Sequence, residues 1–379
     1  MLCQKDKFDL EPHLHYINGA YMSPQLKAVE AAGLAAVSRK NRPYSIAPED
    51  FFSGKKRLRA LFAQLVHAPS AEHVAFIPSV SYGIGIVARN VSIKPGQTIV
   101  LTEAQFPSNV YSWLRLAEEQ GAEIITVPMP EARENRGQIW NERILDAIDG
   151  RTAVVAMGHI HWATGTLFDL KAISDKVHAA GGVLVIDGTQ SVGALPHDVQ
   201  ALGVDALVCG GYKWLMGPYG FGYAYLSERF WNGVPLEENW INRENSEHFA
   251  DLTNYRATYQ PGALRFDVGE SSNFILVAMC TAALEQLLEW GQESIQAYCH
   301  DLTRDAVAQW QARGYWADDA RYRAQHLFGI QLPDGADPLA LQQQLKAKNI
   351  LVSVRGGFVR ISPNVYNDPA DIAALSAVL

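Results

Sequence analysis

The stretch GVLVIDGTQ at residues 182–190, followed by ALVCGGYK at 206–213, decides how this chain is read. Each opens with a short apolar run rich in β-branched residues, too brief for a helix and apolar on both faces. Such a run, stopped by a Gly-containing turn, is the signature of a strand buried in a parallel sheet. Working outward, the same texture recurs in VAFIPSV from Val74, QTIVLTEA from Gln97, AEIITVPM from Ala122, TAVVAMGHI from Thr152 and GFGYAYL from Gly220. Amphipathic stretches lie between these runs, at Asn109 to Gln120, Trp140 to Ile148 and Leu170 to Ala180, and they close at Gly121, Gly150 and Gly181. Strands alternating with helices over residues 73–226 predict an α/β fold with a mostly parallel sheet.

Beyond residue 226 the texture changes. Trp231 to Gln260 is polar, aromatic and weakly periodic, too long for a plain connection, and is expected to be a functional loop region. Helices are expected at Phe274 to Gly291, Glu293 to Arg313 and Pro338 to Lys348, with strands at HLFGIQL, ILVSV and FVRIS, which suggests a smaller α+β domain. The expected organisation is an N-terminal segment over 1–16, a large domain over 17–255 and a small domain over 256–379.

At 379 residues, with 48% hydrophobic and 19% charged residues, the chain has the composition of a packed globular protein, which excludes a disordered or fibrous one. A net charge of -8 supplies no basic field for nucleic acid or an anionic membrane. Cys3, Cys209, Cys280 and Cys299 form neither a disulfide framework nor a zinc module. The first residues lack an apolar leader core and no later stretch reaches membrane-spanning length, so a cytoplasmic protein is expected.

Two constellations compete for the chemistry. Gly83-Ile-Gly85-Ile-Val-Ala88 with Glu103 some 20 residues on has the spacing of a dinucleotide fingerprint, but its glycines fall several residues after the strand ends, inside a helix. The stronger signal is Asp187 closing one strand and Lys213, 26 residues later, in the turn that follows the next. In a parallel sheet, ligands gather at the carboxyl ends of strands, which places both side chains at one edge. A lysine amine for an aldehyde, a carboxylate to keep a pyridine nitrogen protonated and donors for a phosphate describe a pyridoxal 5′-phosphate site. Such a lysine needs a lowered pKa to act as acid and base.

With those residues in place, the chain resembles the class V aminotransferases. This family of fold type I pyridoxal phosphate enzymes includes cysteine desulfurases, kynureninases and isopenicillin N epimerase. The resemblance runs through YINGAYMSP from Tyr16, PSVSYGIG from Pro78, FPSNVYSW from Phe106, HIHWATGT from His159, DGTQSVGA from Asp187, GGYKWLMGPYGFGY from Gly210, LRFDVGESSN from Leu264 and VRISPNVYND from Val359. It implies that Lys213 bonds the cofactor aldehyde, Asp187 pairs with the pyridine nitrogen and Gln190 bonds the phenolic oxygen. Phe106 would cover the ring face, and Val80, Ser81 and Tyr212 would hold the phosphate. Asn273, in the Gly269 to Asn273 segment, would reach the phosphate of a neighbouring subunit in a homodimer. Arg360 would fork onto the substrate α-carboxylate. Where many relatives carry asparagine, this chain reads His161-Trp162-Ala163, which leaves Gln190 alone at the phenolic oxygen and makes Trp162 a narrowing element. The pairs His13/His15 and His159/His161 lack a third ligand, so no metal is expected.

All reactions of the family start from the same bonded amino acid or amine. Aminotransfer is the first expectation, a kynureninase-like or C–S lyase the alternative and epimerisation the third. Desulfuration is disfavoured, because Arg355-Gly-Gly-Phe-Val-Arg360 leaves no room for a nucleophilic cysteine loop. A non-catalytic binding protein is set aside because Lys213 and Asp187 are both present. Tyr21, Tyr44, Trp162, Trp214 and the 231–260 region are the expected shapers of the substrate pocket.

Overall fold

The computed structural model describes all 379 residues. Its strands are β1 (His15–Tyr16), β2 (Val74–Ile77), β3 (Thr98–Thr102), β4 (Glu123–Val127), β5 (Thr152–Gly158), β6 (Val183–Asp187), β7 (Ala206–Gly210), β8 (Gly222–Leu226), β9 (Phe328–Gln331), β10 (Ile350–Leu351), β11 (Ser353–Arg355) and β12 (Phe358–Ile361). The helices are α1 (Lys27–Arg39), α2 (Asp50–Leu65), α3 (Val80–Asn90), α4 (Tyr111–Gln120), α5 (Arg136–Asp146), α6 (Leu170–Ala179), α7 (Val199–Leu202), α8 (Phe274–Trp290), α9 (Gln292–Ala312), α10 (Pro338–Ala347) and α11 (Pro369–Ser376).

Seven strands form the central sheet in the order β2-β8-β7-β6-β5-β3-β4, parallel except for β8, which runs against both of its neighbours. All seven apolar runs of the sequence are in it. Those of β3, β6 and β7 are buried almost throughout, because helices cover both faces. One large hydrophobic cluster, including Trp140, Leu184 and Leu284, fills one side, and a second, including Ile84, Trp113 and Val185, fills the other. The mostly parallel α/β fold is therefore as expected.

The third cluster lies around the antiparallel sheet β11-β12-β9, with α9, α10 and α11. Ile17 belongs to this cluster, and β1 pairs in parallel with β10, His15 opposite Ile350. The N-terminal segment is thus built into the C-terminal layer. Helix α8 packs instead on α1 and α2.

One local expectation holds and another changes. Gly83 and Gly85 lie inside α3, where a Cβ on Gly83 would come within 2.5 Å of Val208 Cγ1, so Gly83 is a packing position of a helix against β7. The 231–260 region does not line this chain's own cavity: Trp240 and Phe249 pack edge-on against Phe51 and Phe52 at the start of α2.

Candidate active site

The carboxyl ends of β3, β5, β6 and β7 and the amino end of α3 converge on one cavity of about 250 Å³. Of the residues singled out above, Val80, Ser81, Phe106, His161, Trp162, Asp187, Gln190, Tyr212 and Lys213 line it. Arg360 stands just behind its wall. Asn273, exposed at the start of α8, is outside it: its side chain caps that helix, accepting from the backbone N–H groups of Ile275 and Leu276. Tyr21, Tyr44 and Trp214 do not line it either.

Lys213 is 7% exposed. Burial first, and the charge of Arg360 second, push its ammonium down to about 8, while Asp187 pulls the other way and Arg355 adds to the lowering. A cation stripped of water with two guanidinium groups nearby loses its proton easily, as a nucleophilic amine must. Its Nζ stands 5.7 Å from the ring centroid of Phe106 and 5.6 Å from that of Tyr212.

Asp187 ends β6 and lines the cavity. Its Oδ1 accepts from the backbone N–H of Thr189 at 2.9 Å, yet no cationic side chain pairs with it. Burial raises its pKa against the pull of Thr189 and Lys213. A carboxylate at the end of a buried strand without a cation is stabilised when a ligand brings an N–H donor to it.

Opposite stands the amino end of α3. Ser79 caps it, accepting from the N–H of Tyr82, and its Oγ lies 3.0 Å from Ser81 Oγ. Unpaired N–H groups of the first turn, the helix dipole and two hydroxyls make an anion site there. Within the cavity wall, Thr102 Oγ1 is buried without a partner. A lysine amine, an unpaired carboxylate and an anion cradle lining one cavity fit pyridoxal phosphate.

Gln190 is more committed than expected. Its Nε2 donates to Ala20 O at 3.1 Å and its Oε1 accepts from Trp214 Nε1 at 3.0 Å, so one N–H is left for the cavity. Trp162 forms one wall with Phe106, their rings 5.5 Å apart and nearly perpendicular. The Trp162 indole N–H donates to Ala104 O at 2.7 Å, and its carbonyl accepts from Arg360 Nη1 at 3.0 Å. Arg360 is 1% exposed, its Nε has no partner, and burial followed by the charge of Arg355 pushes its pKa down to about 9. His161 is neutral, pushed down to about 4 by burial. Its Nε2–H donates to Ala104 O at 3.2 Å and its Nδ1 lies 3.0 Å from Thr164 Oγ1, so both nitrogens brace the turn that carries Trp162.

Sequence reasoning missed Ser79, Thr102, Gln105, Ser108, Thr189 and Tyr219, all of which line the cavity. Position after a strand could have flagged Thr102 and Thr189. Thr189 Oγ1 accepts from Gly210 N–H at 3.2 Å and so joins the turns after β6 and β7. Cys209, Cys280 and Cys299 are buried, Cys3 is partly so, and none lines the cavity.

The aminotransferase class-V family profile matches residues 38–375. A cysteine desulfurase of Pectobacterium atrosepticum is 30% identical over 260 residues, 67% of this chain and 61% of that one. One of Synechococcus elongatus is 31% identical over 240 residues, 62% of this chain and 37% of that one. This chain thus spans between about two and three fifths of the curated relatives' length. Among solved structures, an apo cysteine desulfurase of Thermococcus onnurineus superposes with a TM-score of 0.84 at 20% identity, covering 100% of this chain and 97% of that one. A cystine C–S lyase in complex with its product cysteine persulfide superposes at 0.82 with 21% identity, covering 97% of each. These likenesses overturn the expectation of an aminotransferase with desulfuration disfavoured, since relatives and neighbours alike are named for breaking a carbon–sulfur bond. The chain belongs to the aminotransferase class-V family of fold type I, whose cofactor is pyridoxal 5′-phosphate.

Proposed function

We propose that this protein is a pyridoxal-phosphate-dependent C–S lyase acting on a sulfur-containing amino acid of the cysteine or cystine type. The carrying observation is a cavity lined by both a buried, easily deprotonated Lys213 and an unpaired Asp187, in a chain whose relatives are named for C–S chemistry.

The bound cofactor supplies an electron sink at the substrate Cα. Lys213 would hold its aldehyde, and its Nζ would take up the substrate Cα proton. Asp187 would keep the ring nitrogen protonated. Ser79, Ser81, the first turn of α3 and Tyr212 would hold the phosphate, and Gln190 would donate its free N–H to the phenolic oxygen. Phe106 and Trp162 keep water from the reacting face, and Arg360 fixes the α-carboxylate. When the Cβ–S bond breaks, its electron pair leaves with sulfur, which takes up a proton. The remaining three-carbon fragment, hydrolysed by one water, gives pyruvate and ammonia.

The names of the relatives favour a second outcome at the same site, alanine with the sulfur passed to a thiol acceptor. Here β11 and β12 are joined by Gly356 and Gly357 alone, with Arg355 opposite Phe358, so that segment carries no cysteine. Incubating the holoenzyme with L-cysteine or L-cystine and measuring sulfide, persulfide, pyruvate and alanine tests both. Pyruvate matching the sulfur released supports elimination, and alanine matching it supports transfer. No sulfur from either substrate would refute the C–S reading.

The proposal includes a homodimer with a shared site. The segment before α8 is well anchored, with Gly269 N–H donating to Glu237 Oε2 at 2.6 Å and Lys55 Nζ to Ser271 Oγ at 2.9 Å, yet its Asn273 is exposed away from this chain's own cavity. Mixing inactive Lys213→Ala and Asn273→Trp proteins is expected to restore part of the activity. No recovery after demonstrated subunit exchange would refute sharing.

A further inference from the structure

We propose that Arg355 reads a second acidic group on the substrate, so that the preferred amino acid carries an anion at the far end of its sulfur substituent. This rests on the C–S reading above and narrows its substrate class.

The argument begins with hairpin register. Arg355 pairs with Phe358 and Ser353 with Arg360. Residues opposite each other, and those two apart along a strand, share a face, so Arg355 and Arg360 project from the same side as diagonal neighbours. Two guanidinium groups at that spacing repel each other unless an anion lies between or beside them. No carboxylate does so here: neither arginine takes part in any salt bridge, and the hydrogen bonds of each go only to a backbone carbonyl, Arg355 Nη1 to Val354 O at 2.8 Å and Arg360 Nη1 to Trp162 O. The guanidinium of Arg355 lies 5.7 Å from the ring centroid of Trp162, which lines the cavity.

The charges around the amino acid then do not balance. Lys213 feels both arginines and one carboxylate, Asp187. The cofactor phosphate belongs to the amino end of α3, in another wall. A substrate α-carboxylate satisfies one fork, that of the buried Arg360, and a carboxylate cannot serve two diverging guanidinium groups bidentately. Arg355 does not line the cavity itself; half-buried against the indole that does, it is left with free N–H donors behind that wall. An acidic group on the side chain is what this arrangement lacks.

Matched acid and amide ligands test it. The pairs L-aspartate/L-asparagine and L-glutamate/L-glutamine are titrated into the holoenzyme, with binding read from the visible absorbance of the cofactor. S-carboxymethyl-L-cysteine is compared with S-carbamoylmethyl-L-cysteine for sulfur release. At least one acid is expected to bind ten-fold tighter than its amide, and the carboxymethyl substrate to show the same ratio in kcat/KM, mainly through KM. Arg355→Gln should cost the acids ten-fold and the amides less than two-fold, while Arg355→Lys keeps part of the preference. Equal binding of acid and amide by the wild type, a preference that survives Arg355→Gln, or equal losses for both members would overturn the proposal. The absorbance titration needs no C–S cleavage, so failure to release sulfur would sink the lyase reading and leave this one to its own result.

Discussion

Capture of pyridoxal phosphate by the cofactor-free protein should accelerate as pH rises from 6 to 9, with its inflection near 8. The aldehyde is attacked only by the neutral amine. An ordinary lysine near 10.5 is about 0.03% neutral at pH 7, whereas one at about 8 is about 10% neutral, roughly 300-fold more, or roughly 3 kcal/mol. Burial is the first cause of that shift, and the positive charge of Arg360 the second. Arg360→Leu should therefore move the inflection upward, and Lys213→Ala should abolish capture. Stopped-flow absorbance with borohydride trapping of the adduct reads the rate at each pH. The same shift carries a stability signature of definite sign. Between about 8 and 10.5 the unfolded chain holds the proton that the folded protein has lost, so the cofactor-free protein gains stability as pH rises through that window. An inflection at or above 10, or an adduct on any other lysine by peptide mapping, would refute the account of a dehydrated Lys213 as cofactor anchor.

Asp187→Asn should still fold and bind cofactor, but lose about 10²- to 10⁴-fold in turnover, because an amide cannot hold the ring nitrogen's proton; near-native turnover would exclude the pairing. Gly83→Ala should lose about 1–3 kcal/mol in chemical denaturation, since its new methyl meets Val208 and Ile77 at 2.5 and 2.8 Å. An unchanged midpoint would show that α3 can move away from β7 without cost.

Much of this architecture is legible in the sequence because burial on both faces leaves an unmistakable trace. GVLVID and ALVC read as strands without ambiguity, and their order alone puts Asp187 and Lys213 at one edge. Helix α5 starts four residues earlier than its expected start at Trp140, because Gly137 dilutes the helical signal. The structure needs that glycine, since a Cβ there would stand 2.3 Å from Tyr322 Cβ. Pairings between remote segments leave no such trace. Nothing local announces β1, two residues long with a partner near the other end of the chain, or that the Gln190 amide is spoken for by Ala20 and Trp214. The reaction is the least legible part. Aminotransfer and C–S cleavage begin with the same lysine and the same carboxylate, and the side chains that surround them, such as Trp162 and Arg355, come from segments far apart in sequence.

The pairing of β1 with β10 has a consequence for biosynthesis. His15 must wait for Ile350, 335 residues later, and at about 5–20 residues per second that is a delay on the order of 20–70 s. Until then the first twenty residues have no sheet to join. Gln190 Nε2 lacks its carbonyl from Ala20, and Lys5 lacks Asp368. The segment made first settles last, and Gln190 at the cavity is fully braced only when both ends of the chain have met.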